Sequence, residues 1–328
     1  MSLLNIISLA LVVALTRAGP ILNNPSRVLR RDAPAPSAYP LDSACGNEWQ
    51  YLNFNTTVAT DRVHLQTLHD VICGGEMRAI SSYGQISAQN VNAPYKRYFP
   101  ESDDEDDYPT NVKDVLGLIA GASSTDGAIG TVVGTFVVDN LGKLLQLRFP
   151  ISSVFDSLWQ SPLTPSIDFA ANVPGASDCT VEGTLAYTLE DQVDDLEKIH
   201  FCDLSWTRGE ASDVDCASLD PFPSTKMDSF SRIALHEMMH YSSIGPNTPV
   251  GETIGDCKNA DSEPANDPPR VHGLLDPNQD DNPAVTEINA DSYAWMSLDA
   301  WMSQNCIAGS DTNNWASFFT QNPPPYNE

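Results

Sequence analysis

Apolar residues recur at helical spacing in two segments of the N-terminal half. Between 60 and about 80 they fall every few positions, at Val63, Leu65, Leu68, Val71 and Ile72. The segment 111–120 shows the same spacing, at Val112, Val115, Leu116 and Ile119. This spacing gathers the apolar side chains on one face of a helix. Each segment is therefore predicted to be an amphipathic helix.

Two later segments change to the pattern that is typical of strands. The stretch 128–138 is rich in β-branched residues, and a turn at Asp139 and Asn140 separates it from 144–149. This arrangement predicts a β-hairpin. Residues 184–188 and 199–202 flank an acidic loop and are predicted to form another strand pair. Helices and strands together indicate an α+β fold, helix-rich with a small antiparallel sheet.

The C-terminal half contains two further predicted helices. The first should begin near Ser229 or Ser231 and end by Gly245, because serine caps helix starts and the Gly245-Pro246 pair stops helices. A connector rich in Pro, Asp and Asn spans 246–284. The last helix is predicted over about 286–304. One of its faces carries Ile288, Asp291, Trp295, Leu298 and Met302.

The termini predict processing and secretion. Residues 1–18 resemble a secretory signal peptide, with an apolar run from Ile6 to Leu15 that is too short to span a bilayer. Residues 19–31 form a short pro-segment that ends in the dibasic pair Arg30 and Arg31. We expect 32–44 to be a flexible start of the mature chain, 45–310 the folded domain and 311–328 a flexible tail. The protein is predicted to be extracellular.

Composition agrees with secretion and argues against some partners. Seven cysteines suit an oxidising compartment and allow at most three disulfides, with one cysteine left over. Asn55, in Asn55-Thr56-Thr57, is a predicted N-glycosylation acceptor. The chain has 44 acidic and 17 basic residues, for a net charge of -27. This charge argues against nucleic acid as a partner and against stable association with an anionic membrane.

The predicted helix that starts near Ser229 contains the H-E-x-x-H pattern, His236-Glu237-Met238-Met239-His240. On a helix, positions i and i+4 lie one above the other, so His236 and His240 can present two imidazole nitrogens to one metal ion. Glu237 lies beside them, where its carboxylate can take a proton from a zinc-bound water. The pattern therefore predicts a zinc site that performs hydrolysis, with Glu237 as the general base.

A hydrolytic zinc site needs a third protein ligand and an open position for water. Asp256 is the preferred ligand, because it lies sixteen residues after the second histidine, beyond the turn that ends the helix. That separation lets the chain fold back under the site. Glu287 and His272 are the main alternatives, and Asp261 and Asp267 are further ones.

Asp291 is a carboxylate in the otherwise apolar face of the last helix. A buried, unpaired carboxylate would cost considerable free energy. A contact with the outer ring nitrogen of a zinc-binding histidine would satisfy it and would also orient that ring. A bond to a buried backbone group or to an arginine is the alternative.

Several motifs resemble the fungal aspzincins, the group of deuterolysin and lysine-specific metalloendopeptidases. They are Ile199-His200-Phe201-Cys202, the motif 236–240, and Ile288-Asn289-Ala290-Asp291-Ser292-Tyr293-Ala294-Trp295. Residues 95–99, followed by the helix at 111, extend the similarity to about 45–310. The resemblance implies a zincin-like secreted zinc endopeptidase with His236 and His240 as ligands, Glu237 as base and an Asp as third ligand.

The chain departs from that family at one element. The family's G-T-x-D-x-x-Y-G sequence is replaced by the run from Gly251 to Asp256, and Val271-His272-Gly273 stands where Tyr-Gly is expected. Asp256 is the best match for the family's Asp. His272 becomes the alternative to the tyrosine that would stabilise the transition-state oxyanion.

Sequence reasoning thus predicts a monomeric, secreted zinc metalloendopeptidase that acts on protein or peptide substrates. Zn²⁺ is the expected cofactor. The alternative is a secreted zinc-binding protein of the same fold, for metal capture or adhesion, with little or no proteolytic activity. The presence of Glu237 favours the enzyme, because metal capture needs no base.

Overall fold

A computed structural model describes residues 49–52, 54–73, 75–102, 107–121, 136–139, 179, 181–191, 196–220, 222–276 and 284–306. These residues belong to one compact unit. The predicted signal peptide, pro-segment, flexible mature N-terminus and C-terminal tail lie outside them, so those assignments stay predictions. The helices and strands below refer to these residues alone.

The first part of the fold is mainly helical. Strand β1 is Trp49–Leu52, and the helices are α1 Ala59–Leu68, α2 Glu76–Asn90, α3 Ala93–Tyr98 and α4 Tyr108–Gly121. A π-helical turn, His69–Cys73, extends α1. The single helix predicted over 60–80 is therefore two helices, because Gly75 has a φ of 87° that an α-helix cannot continue. The helix predicted at 111–120 is confirmed as α4.

The described strands form a four-stranded sheet in the order β1-β2-β4-β3. Here β2 is Phe136–Asp139, β3 is Ala186–Asp191 and β4 is Leu196–Phe201. Strands β3 and β4 are antiparallel, with Ala186 opposite Phe201, which confirms the second predicted pair. Strand β2 lies parallel to both β1 and β4, so the sheet as a whole is mixed. Parallel neighbours need a long crossover, which α1 to α4 supply between β1 and β2.

The hairpin predicted over 128–149 is described only at β2. Its second arm, 144–149, lies outside the described residues. Along β2 itself, β1 occupies one edge and β4 the other. Strand β2 is therefore flanked by strands distant in sequence, which a local pattern of β-branched residues does not reveal.

The C-terminal half supplies three helices within the described ranges. They are α5 Phe230–Met239, α6 Pro268–Gly273 and α7 Ala290–Asn305. Short 3-10 turns lie at Ser205–Thr207, Ala211–Asp213, Cys216–Ser218, Thr225–Met227, Gly245–Asn247 and Ala284–Thr286. Helix α5 ends earlier than predicted, and α7 begins later than the predicted residue 286. Both predicted helices are otherwise confirmed.

Helix α7 is the central helix of the core, and it packs against α2, α3 and α5. Asp291, Trp295, Leu298 and Met302 of the predicted face are buried, and so are most of the other side chains of the helix. Small residues permit this close packing, since a Cβ added to Gly84 of α2 would lie 2.1 Å from Ser297 Oγ. The buried Asp299 of α7 is paired with Arg97 of α3 through two contacts, at 2.7 and 2.9 Å. A helix enclosed by other helices needs no polar face.

Two disulfides are formed among the cysteines whose side chains are described. Cys179 is bonded to Cys202, and Cys216 is bonded to Cys306 at the end of α7. Cys257 is a free thiol, and the side chains of Cys45 and Cys73 lie outside the described part of the chain. Within the described ranges, the helices are too short or too polar to cross a membrane.

Candidate metal centre

The two histidines of the motif lie at the C-terminal end of α5. Ser229 caps the start of this helix by accepting a hydrogen bond from Arg232 N at 3.2 Å. The helix is buried almost throughout, which stabilises it by tertiary packing. His236 lies in its last turn and His240 is the C-cap residue. The i, i+4 relation therefore survives although the helix ends before the predicted stop at Gly245.

The structure brings His236, His240 and Asp256 together. The Nε2 atoms of the two histidines are 3.1 Å apart. Asp256 Oδ1 lies 3.4 Å from His236 Nε2 and 3.5 Å from His240 Nε2. Among the described residues, this is the group of His, Cys, Asp and Glu side chains that could hold a metal ion. Asp256 is 67% exposed, so the group opens to solvent on the aspartate side.

The chain reaches this position by folding back against the end of α5. Gly245 makes the close approach possible, because a Cβ there would lie 2.0 Å from the carbonyl oxygen of Glu252. After Ile254, the chain forms an isolated parallel bridge between Gly255 and Asn289, next to the start of α7. The connector therefore doubles back under the motif, as its length after His240 predicted.

The other proposed third ligands lie outside this group. Glu287 is buried before α7, where its backbone carbonyl accepts a hydrogen bond from Tyr293 Oη. His272 Nδ1 lies 2.7 Å from the carbonyl oxygen of Arg97. Asp261 lies in an exposed turn, where its amide donates to an asparagine. Asp267 is the N-cap of α6 and accepts from the helix's own backbone at 2.9 Å.

Each histidine has an oxygen atom close to its outer ring nitrogen. His240 Nδ1 lies 3.1 Å from the carbonyl oxygen of Ile254, so an Nδ1–H donor leaves Nε2 as the free acceptor. His236 Nδ1 lies 3.2 Å from Asp291 Oδ1. This separation is short enough for a hydrogen bond, but the two groups are not aligned to form one. Arg232 Nη1 donates to the same oxygen at 2.9 Å. Asp291 therefore makes the bond to an arginine that was the alternative, and it also lies in contact with a motif histidine.

The carboxylates dominate the electrostatics of the site. Burial lowers the pKa of His236, but the neighbouring carboxylates, led by Asp291, outweigh burial and raise that pKa to about 9. Burial also works against the charged form of Asp291, but His236 and Arg232 hold the pKa of this carboxyl below its usual value. A centre of this kind favours a positive charge between the rings, which a metal ion can supply in place of a proton.

Glu237 lies beside the group and is 3% exposed. Its Oε1 is 3.9 Å from His236 Nε2, and its Oε2 accepts a hydrogen bond from Thr188 Oγ1 at 2.8 Å. Burial raises the pKa of Glu237, while the histidines and the Thr188 hydroxyl oppose that rise. Sequence reasoning missed Thr188. Its strand was predicted, but no local signal indicates that β3 contacts α5.

Comparisons with protein-family models, with curated proteins and with solved structures find no match to this chain. The likeness to the aspzincins therefore rests on the motifs in the sequence.

Replacement of Asp291 by alanine should weaken metal binding by about 10- to 100-fold, because the partner that orients His236 is lost. Zinc affinity is measured on the folded fraction by competition with a chromophoric chelator. Asp299→Ala is the matched control, since this buried aspartate of the same helix pairs with Arg97 instead. If both variants lose stability but bind zinc normally, the orienting role of Asp291 is refuted.

Replacement of Gly245 by alanine should displace the loop that carries Ile254 and Asp256. The added Cβ overlaps the Glu252 carbonyl, and we expect a loss of about 1–3 kcal/mol in stability. Zinc affinity should fall by at least about 10-fold, because the partner of His240 moves with this loop. Thermal unfolding and chelator competition measure the two effects. In the control Gly255→Ala, the new Cβ meets nothing within 4 Å, so an equal loss there would contradict the steric explanation.

Proposed function

We propose that this chain is a secreted zinc-dependent metalloendopeptidase that hydrolyses peptide bonds in protein or peptide substrates. One observation carries the proposal. A buried carboxylate, that of Glu237, lies 3.9 Å from the donor nitrogen of His236, next to the point where two imidazoles and an aspartate converge. Metal binding by itself needs only the three donors. The adjacent carboxylate supplies the base that hydrolysis needs.

The donor set fits zinc. Nitrogen donors from imidazole are typical of zinc and other transition metals and are poor ligands for calcium or magnesium. In a tetrahedral zinc site with bonds of about 2.0–2.1 Å, ligand atoms are separated by about 3.3 Å. The three donor atoms here are separated by 3.1, 3.4 and 3.5 Å. His236, His240 and Asp256 would thus hold three corners and leave the fourth for water or substrate.

Each residue then has a defined role in the reaction. When bound, zinc lowers the pKa of a coordinated water and polarises the scissile carbonyl. Glu237 takes a proton from the attacking water and later delivers it to the leaving amine. Thr188 fixes the Glu237 carboxylate through the 2.8 Å hydrogen bond to Oε2. Asp291 and the Ile254 carbonyl keep the two rings in place.

Strand β3 supports an extended peptide as the substrate. It is the last strand in the order β1-β2-β4-β3, so one of its edges carries no strand partner within the described sheet. Thr188 of this strand contacts Glu237 directly. A peptide added to such an edge is bound by main-chain hydrogen bonds, with little dependence on its sequence. It would lie beside the proposed base.

Membership of the aspzincin group is part of the proposal. The motifs 199–202, 236–240 and 288–295 and the Asp256 ligand support it. The oxyanion-stabilising tyrosine of that group has no counterpart at 271–273. His272, the alternative for that role, has its Nδ1 directed to the carbonyl oxygen of Arg97.

Secretion is supported by the disulfides Cys179–Cys202 and Cys216–Cys306, since such bonds persist in oxidising compartments.

The altered element at 271–273 favours the second candidate function, a secreted zinc-capture or adhesion protein of the same fold. Both functions require the same three ligands. They differ in turnover, which only the enzyme needs.

Removal of zinc distinguishes the two functions. We expect the purified mature protein to contain one zinc ion and to cleave an unfolded protein such as reduced casein. A chelator should abolish cleavage and added zinc should restore it, because the polarising ion is lost and regained. Fragments are followed by mass spectrometry. A protein that holds zinc but produces no fragments would establish the capture function instead.

A further inference from the structure

The third ligand is held in an unusual way for a metal site. The Asp256 side chain is 67% exposed, so packing against neighbours cannot fix its direction. Ligands bind tightly when the surrounding structure holds them in place before the metal arrives. The backbone around Asp256 must therefore do what side-chain packing does for His236, whose side chain is only 12% exposed.

Three hydrogen bonds to residues 288–290 hold that backbone on both sides of Asp256. Gly255 N donates to the carbonyl oxygen of Ile288 at 2.8 Å, and Ala290 N donates to the Gly255 carbonyl at 2.8 Å. Both of these hydrogen bonds join main-chain atoms, so they do not depend on the identity of any side chain. The third is different, because Cys257 N donates to the side-chain oxygen Oδ1 of Asn289 at 3.0 Å. The amide that directly follows Asp256 thus depends on one side chain.

Asn289 occupies a helix-capping position without capping the helix. It is the N-cap residue of α7, where an asparagine oxygen ordinarily accepts from the first-turn backbone. Here no such bond is made, and Oδ1 is turned to Cys257 N. Its Nδ2 donates to Ser292 Oγ at 3.0 Å, which holds the amide in this orientation. The side chain is 1% exposed. Its side-chain oxygen therefore serves the Asp256 loop instead of the helix start.

We propose that Asn289 is a positioning residue for the third metal ligand, holding Asp256 toward His236 and His240 through the Cys257 amide. The proposal rests on the zinc site proposed above. With Asp291 two residues further on, the first turn of α7 then supports two of the three ligands from one rigid element. The loop and the motif helix meet the same helix end, which keeps their donor atoms at a constant separation.

The test is a double-mutant cycle between Asn289 and Asp256. Asn289→Ser retains a good helix-capping residue but is too short to reach Cys257 N. We expect it to lower zinc affinity by about 10- to 100-fold, measured by chelator competition on folded protein. In an Asp256→Ala background the same change should cost less than about 2-fold, because the ligand that Asn289 positions is already absent.

Two further variants complete the design. Asn289→Asp keeps an acceptor oxygen at the same reach and should restore zinc affinity to within about 3-fold of wild type. Asn92→Ser is the matched control, since Asn92 caps α3 and accepts from Tyr95 N. This control should leave zinc affinity unchanged, whatever it does to thermal stability.

The outcomes separate this proposal from the zinc site itself. If wild type binds zinc no more tightly than Asp256→Ala does, the zinc site is wrong. If wild type binds tightly and Asn289→Ser also binds tightly, the positioning role is overturned. The same holds if Asn289→Ser loses equal affinity in both backgrounds, because its effect would then not pass through Asp256.

Discussion

Glu237→Gln should retain bound zinc and lose proteolysis by at least about 10²-fold. Glutamine has nearly the same shape and can still accept from Thr188, so His236, His240 and Asp256 keep their places. What it lacks is a carboxylate that can take a proton from the attacking water. Zinc content and the rate of cleavage of a fluorogenic peptide are measured on the same sample, so that loss of metal and loss of chemistry are separated.

The matched control for this change is Glu252→Gln, which alters an exposed carboxylate in the connector that leads to Asp256. It should cleave as wild type does. Equal rates for Glu237→Gln and wild type would exclude the proposed hydrolytic mechanism. A Glu237→Gln protein without zinc would show instead that Glu237 holds the metal site together.

Asp256→Ala should reduce zinc affinity by more than about 100-fold, beyond the loss expected when an outer partner of a ligand is removed. The reason is that one of three donors separated by 3.1 to 3.5 Å disappears, and the histidines alone leave two open positions. Affinity is measured by chelator competition. Asp256 is exposed, so its removal should leave thermal unfolding of the metal-free protein nearly unchanged.

The rival ligands provide the controls for this experiment. Glu287→Ala and His272→Ala should bind zinc as wild type does once corrected for the folded fraction, since neither side chain lies in the donor group. Asp261→Ala removes a carboxylate of similar exposure from the same connector. Loss of zinc from Glu287→Ala, together with normal binding by Asp256→Ala, would reverse the assignment of the third ligand.

Local geometry explains the parts of the site that were predictable from sequence. His236 and His240 lie on the same helix, and the repeat of an α-helix alone brings positions four apart onto one face. Asp291 was recognisable because a carboxylate inside an apolar helical pattern needs a partner. Strands β3 and β4 were also predicted, because two strand segments joined by a short acidic loop tend to pair with each other.

Asp256 marks the limit of such reasoning. Its distance along the chain from His240 favoured it over Glu287 and His272, but distance in sequence does not specify which way a connector folds. The choice depends on Gly245, where only a missing side chain lets the loop approach the end of α5, and on the bridge between Gly255 and Asn289. Both are contacts between segments that no periodic pattern links.

Only the tertiary structure decided how the site is supported. Thr188 reaches Glu237 because β3 lies against α5, and within the described sheet β2 pairs with β1 and β4. Helix α7 is buried on nearly every side because α2, α3 and α5 pack against it. Its sequence therefore lacks the exposed polar face that an amphipathic helix has. Strand pairing and helix packing join residues far apart in the chain. The motif is therefore determined by the sequence, and its surroundings by contacts that exist only after folding.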